Sequence, residues 1–141
     1  MDTTPIVKEV LVNAAPIKVW EALTHPDKMK IWYFDLPGFK AEVGYRFEFY
    51  GGPEDRQYLH LCEIKEVIPG QKLSYSWQYD GYTGNSLVTF ELILQEDQTL
   101  LRLTHEGLET FPANNPDLKK ENFNDGWEAI IKDSFRNYMA H

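Results

Sequence analysis

The stretch Leu73-Ser-Tyr-Ser-Trp-Gln-Tyr79 alternates without a break, placing Leu73, Tyr75, Trp77 and Tyr79 on one face and Ser74, Ser76 and Gln78 on the other. Successive side chains of a strand point to opposite faces, so a period of two with one bulky face predicts a β-strand covered by a core on one side. Turn signals bound it: Pro69-Gly70 before, Asp80-Gly81 and Gly84-Asn85 after. Upstream, Tyr45 to Phe49 alternates rings with charges, and Arg56 to Ile68 reads as a longer strand beyond the hairpin turn Gly51-Gly52-Pro53. Downstream, Leu87 to Leu94 and Thr99 to His105 form two more strands around Glu96-Asp97.

The two ends of the chain frame these strands. Ile6 to Val12 is short and rich in β-branched residues, which predicts an opening strand. At Ala15-Pro16 the period changes. Pro16 suits the first position of a helix whose face carries Val19, Trp20 and Leu23, and Pro26 interrupts it and starts a second short helix through Met29. Far downstream, Asn115 is placed to cap and Pro116 to open a long helix. Phe123, Trp127, Ile130, Ile131, Phe135 and Tyr138 recur along it at spacings of three to four, forming one apolar stripe. Gly126 weakens that helix by about 1 kcal/mol relative to alanine, which predicts a close approach of its backbone to a neighbour. This order predicts one α+β domain over residues 1–141. A curved antiparallel sheet of six to seven strands wraps on the long C-terminal helix, and two short helices follow the first strand.

Composition narrows the function classes. Hydrophobic residues at 43% and charged residues at 26% favour a globular chain over disorder. Fourteen basic against twenty-two acidic side chains give a formal net charge of −8, which disfavours nucleic acid and anionic membranes as partners. No run approaches the roughly 18 apolar residues of a membrane helix. Met1 to Pro5 lacks the basic-then-apolar order of a secretory signal, so a cytoplasmic location is expected. Cys62 is alone, which leaves no internal disulfide and no thiolate cluster, and it reads as a small buried residue. Phosphate-binding loops and the Gly-x-Ser-x-Gly elbow are missing. The histidines His25, His60, His105 and His141 have no metal-ligand spacing, so neither a metal nor a cofactor is expected.

Two of those histidines are candidates for chemistry. His105 shares a strand face with Leu101 and Leu103, and His60 one with Tyr58 and Cys62. An inward neutral imidazole orients a ligand carbonyl or acts as an acid or base; alternatively it is a core histidine bonded to backbone or to a neighbour such as Tyr75. Glu91 and Glu106 fall opposite apolar positions and read as surface carboxylates. Tyr58, Tyr75, Trp77 and Tyr79 carry polar ends that a packed core must satisfy and a cavity would use to orient a guest.

In register across this order stand further segments: Ala15-Pro-Ile-Lys-Val-Trp-Glu-Ala-Leu-Thr-His-Pro26, Lys30-Ile-Trp32, Glu66 to Trp77, Val88-Thr-Phe90, Leu101-Arg-Leu-Thr-His-Glu-Gly107 and Gly126-Trp127. In these the chain resembles the bacterial relatives of the activator of the ninety-kilodalton heat-shock-chaperone ATPase, within the START-like or Bet v 1-like superfamily. The family pattern often has two adjacent tryptophans where this chain has Trp32-Tyr33. The resemblance implies a helix-grip fold with a cavity between sheet and terminal helix, but no particular reaction.

The expected function is binding of a small hydrophobic or aromatic molecule in that cavity. Its expected contacts are Trp32, Phe47, Tyr75, Trp77, His105 and Trp127. Phe49, Tyr58, His60, Phe90, Leu103 and Ile131 complete the expected lining. The alternatives are a polyketide-cyclase- or hydrolase-type enzyme using His60 and His105, and a regulatory protein that contacts a chaperone, as monomer or homodimer.

Overall fold

The computed structural model of the chain describes residues 3–140, which leaves Met1, Asp2 and His141 outside the described residues. Its strands are β1 (Ile6–Val12), β2 (Arg46–Gly51), β3 (Tyr58–Ile68), β4 (Lys72–Tyr79), β5 (Ser86–Gln95) and β6 (Gln98–Glu106). Helices α1 (Pro16–Thr24) and α2 (Pro26–Trp32) follow β1, and a terminal helix α3 covers residues 120–139. The six strands form one antiparallel sheet in the order β1-β6-β5-β4-β3-β2. From β2 onward each strand pairs with its successor, and β1 returns beside β6, with Ile6 opposite His105 and Val12 opposite Thr99.

In β4 the alternation sets direction as expected. Leu73, Tyr75, Trp77 and Tyr79 are all buried, and Trp77 meets Trp127 of α3 at a ring-centroid distance of 5.6 Å. Ser74 and Ser76, expected on an open face, are also buried. Short serines sit low between longer neighbours, and Ser76 Oγ accepts the backbone N–H of Glu63 at 3.0 Å where the β3–β4 register shifts. The turn after β4 needs its glycine: Gly84 has φ 113°, and a Cβ there would lie 2.5 Å from the Phe111 ring.

Pro16 and Pro26 each sit in the first turn of their helices, where a missing N–H removes no hydrogen bond. Trp32 ties these helices to α3. Its indole N–H donates to the Ala22 carbonyl at 2.8 Å, and its own carbonyl accepts from Ser134 Oγ at 2.6 Å.

The terminal helix departs from expectation at two places. The Asn115 side chain does cap, accepting from the Asp117 N–H at 3.0 Å, but the turn it opens stops after Pro116–Leu118 because Lys119 is extended. The long helix starts only at Lys120. Within it, Glu128–Phe135 is π-helical, between α-helical Lys120–Trp127 and Arg136–Met139. Its buried residues Phe123, Trp127, Ile131 and Phe135 keep an interval of four. An α-helix over-rotates by about 40° at every step of four. A turn closed by i→i+5 bonds under-rotates, so the π stretch returns Ile131 and Phe135 to the sheet.

The expectation for Gly126 was wrong in sign. A Cβ on it would meet nothing within 4 Å, and the residue is exposed. Open space, not a close neighbour, lies beside it.

Candidate functional site

A cavity of about 500 Å³ opens between the first turns of α3, the β2–β3 loop and the ends of β3 and β4. Buried His60, Trp77, Tyr79, Phe123 and Trp127 line it, with half-buried Phe34 and Ile130 beside them. Its mouth carries Gly52, Pro53, Arg56, Asp117, Asn122 and Gly126. The volume lies within the roughly 300–1,000 Å³ usual for small-molecule sites. A second depression, of about 570 Å³, at β2 and β3 is edged by Arg46, Glu48, Glu63 and Lys65 and has no histidine, tyrosine or tryptophan in its lining.

The mouth is fastened electrostatically. Arg56 grips Asp117 with two N–H donors, Nε to Oδ2 at 2.8 Å and Nη2 to Oδ1 at 3.1 Å, and Nη1 donates to Asp55 at 3.0 Å. Tyr58 donates its hydroxyl to the same Asp117 Oδ2 at 2.6 Å. The guanidinium first, and the Tyr58 hydroxyl second, hold the Asp117 carboxyl at about 2. One guanidinium thus serves two carboxylates, Asp117 and Asp55, and leaves no free cation among the described residues at the mouth.

Behind the aromatic wall, hydrogen atoms can be assigned by chemistry. Indole nitrogen only donates, so the Trp127 Nε1–H must give to a bare His105 Nδ1, 2.9 Å away. The proton of neutral His105 then sits on Nε2 and goes to Ser86 Oγ at 2.8 Å, and Ser86 donates to the Trp77 carbonyl at 2.8 Å. Burial pushes His105 down to about 3, so the ring stays neutral and both nitrogens are engaged. His60 differs. Its Nδ1 gives its proton to the Tyr58 carbonyl at 2.9 Å. Burial lowers it to about 4, against the opposing pull of the Tyr58 and Phe49 carbonyls. The Cys62 thiol is pushed up by burial alone, away from nucleophilic chemistry.

Of the residues expected to line the site, the structure brings His60, Trp77 and Trp127 together on the cavity wall. Tyr58 is one hydrogen bond away through Asp117, and Phe49 supports His60 by stacking at 4.4 Å. His105 stands behind Trp127 and touches Trp77, not Tyr75 as a partner. The remaining six are packed in the core instead of on the wall. Trp32 meets Phe135 edge to face, Phe47 meets Tyr75 in the same way, and Leu103 and Ile131 are wholly buried. Tyr75 shares a 2.6 Å hydroxyl contact with Tyr33, and Phe90 packs across Tyr75 and Trp127. The lining residues outside the expected set are Phe34, Gly52, Pro53, Arg56, Tyr79, Asp117, Asn122, Phe123, Gly126 and Ile130. Tyr79, Phe123 and Ile130 carried a signal in their apolar faces; Arg56 and Asp117, 61 positions apart, carried none.

Solved structures share this fold. A Mesorhizobium loti protein is 27% identical, with 97% of both chains covered and a TM-score of 0.75. The solution structure of a Bacillus halodurans protein is 26% identical over 96% of both chains, with a TM-score of 0.74. At 22% identity, the Aha1 dimer from Colwellia psychrerythraea shares the fold over 96% of both chains, with a TM-score of 0.70. No curated protein matches the chain. Among the described residues no helix is long and apolar enough to cross a membrane. The sequence profile described as activator of Hsp90 ATPase homolog 1-like protein matches residues 13–140, nearly the whole chain, and the protein belongs to that family.

Proposed function

We propose that the protein binds a small apolar or aromatic molecule in the cavity between the sheet and α3. The observation that carries this reading is an unfilled volume of about 500 Å³ walled by Trp77, Trp127, Phe123 and Phe34. A cleft of this size lined mainly by aromatic side chains, with a few polar groups among them, is the usual form of a small-molecule site. Gly126 supports the same reading, since a glycine in an exposed helix lowers stability and here keeps space free. Acid–base catalysis by His105 has less support, because both of its nitrogens are engaged by Trp127 and Ser86.

Leucine at position 126 tests the idea. Gly126→Leu fills the space beside the wall while raising helix propensity by about 0.8 kcal/mol, so the melting temperature should hold or rise. Titration with N-phenylnaphthylamine, an uncharged fluorescent probe, should show saturable binding to the parent and about tenfold weaker binding to the variant. Equal saturable binding by both proteins would remove the cavity as the site.

A further inference from the structure

We propose that Tyr79 and His60 form a donor and acceptor pair on the cavity wall that selects an uncharged, planar aromatic ligand bearing both a carbonyl and a hydroxyl. The inference rests on the binding reading above and goes further by giving the ligand's polar groups.

Consider Tyr79 first. The Trp77 Nε1–H donates to the Tyr79 hydroxyl oxygen at 2.8 Å, so that oxygen is the acceptor and its own hydrogen remains to be placed. Among the described residues no second partner takes it. Tyr79 lines the cavity, and a carbonyl oxygen of a guest would accept this hydrogen.

His60 is the complement. Its Nδ1–H is committed to the Tyr58 carbonyl, which leaves Nε2 as the lone-pair nitrogen of the neutral ring. Every fully enclosed side-chain nitrogen or oxygen among the described residues has a hydrogen-bond partner. Nε2 has none, so it is not enclosed, and His60 lines this same cavity. A guest hydroxyl would donate there. The two rings are neighbours, 4.7 Å between centroids at 64°, and line one cavity, which puts both within the reach of a single guest.

The rest of the site sets shape and charge. Trp77 and Trp127, tilted 56° to each other, supply the aromatic surface against which an aromatic frame packs. Arg56, the cation at the mouth, already holds Asp117 and Asp55, so an anionic guest finds no free counter-charge. Burying an unpaired carboxylate there is strongly unfavourable.

Calorimetric titration of the full chain with four probes decides the matter: a hydroxynaphthyl methyl ketone, its methyl ether, ethylnaphthalene and a naphthalene carboxylate. The hydroxy ketone should bind about tenfold tighter than the methyl ether, and the ether about tenfold tighter than ethylnaphthalene, one hydrogen bond being lost at each step. The carboxylate should bind most weakly. In Tyr79→Phe the ratio between ether and ethylnaphthalene should collapse toward unity, and in His60→Phe the ratio between hydroxy ketone and ether should do so. Because the parent series requires no variant, a folding defect in either one cannot mask the result. Equal binding of the three neutral probes overturns the donor–acceptor pair and leaves the apolar cavity standing. Tightest binding of the carboxylate overturns the charge argument and the pair with it. Binding of none overturns both the cavity reading and this one.

Discussion

His105→Ala should lower the free energy of unfolding by about 3–5 kcal/mol, measured by urea denaturation at neutral pH. The ring is wholly buried between Trp77, Phe123 and Trp127. Truncation leaves a void in a packed layer and strands the Trp127 indole N–H, a buried donor whose loss of partner costs about 1–3 kcal/mol by itself. Ser86 is less affected, since it still donates to the Trp77 carbonyl. His105→Gln retains an amide that can accept from Trp127, and should recover part of the loss. A penalty under about 1 kcal/mol for alanine would contradict the assigned hydrogen-bond chain.

Acid should unfold the protein early, and the sign follows from where two protons bind. His60 and His105 titrate near 4 and 3 in the folded chain, below the ordinary histidine value of about 6.5. Below about pH 6.5 the unfolded chain takes up protons that the folded chain refuses, so stability falls with pH down to the folded values and is flat above neutrality. Each imidazole contributes a slope near 1.4 kcal/mol per pH unit, which amounts to roughly 4 kcal/mol for the pair between about pH 7 and pH 5. That is a large part of the roughly 5–15 kcal/mol typical of a folded domain. Below about pH 4 the Asp117 carboxyl, held low by Arg56, begins to add to the loss. Urea midpoints taken across this range test the prediction, and His60→Phe should remove about half of the slope. A stability change under about 1 kcal/mol between pH 7 and pH 5 would show that these imidazoles are not held neutral by burial.

How much was legible follows from the range of each signal. Strand β4 was readable because its period of two is written in consecutive residues, and α1 and α2 because Pro16 and Pro26 act within one turn. Asn115-Pro116 misled for the same reason: its cap is real and local, but Lys119 resets the backbone before the long helix begins. The π stretch depends on how Ile131 and Phe135 meet the sheet, which no local pattern encodes. At the site, alternation placed Trp77 and His60 correctly inward but could not say which inward rings line open space and which pack. That distinction depends on the height at which α3 crosses the sheet. Trp32, Phe47 and Tyr75 lie where the layers meet, and Trp77, Tyr79 and Trp127 where they part. Gly126 was conspicuous in the sequence for the right reason, an unfavourable helix residue retained, and read with the wrong neighbour.

The paired contact between Arg56 and Asp117, with the Tyr58 hydroxyl on the same carboxylate, joins two distant stretches of backbone at the threshold of the hollow. Arg56 is itself half exposed, so added salt screens this clasp and loosens the edge of the hollow, while the buried rings behind it, held by contacts that salt does not screen, keep their places.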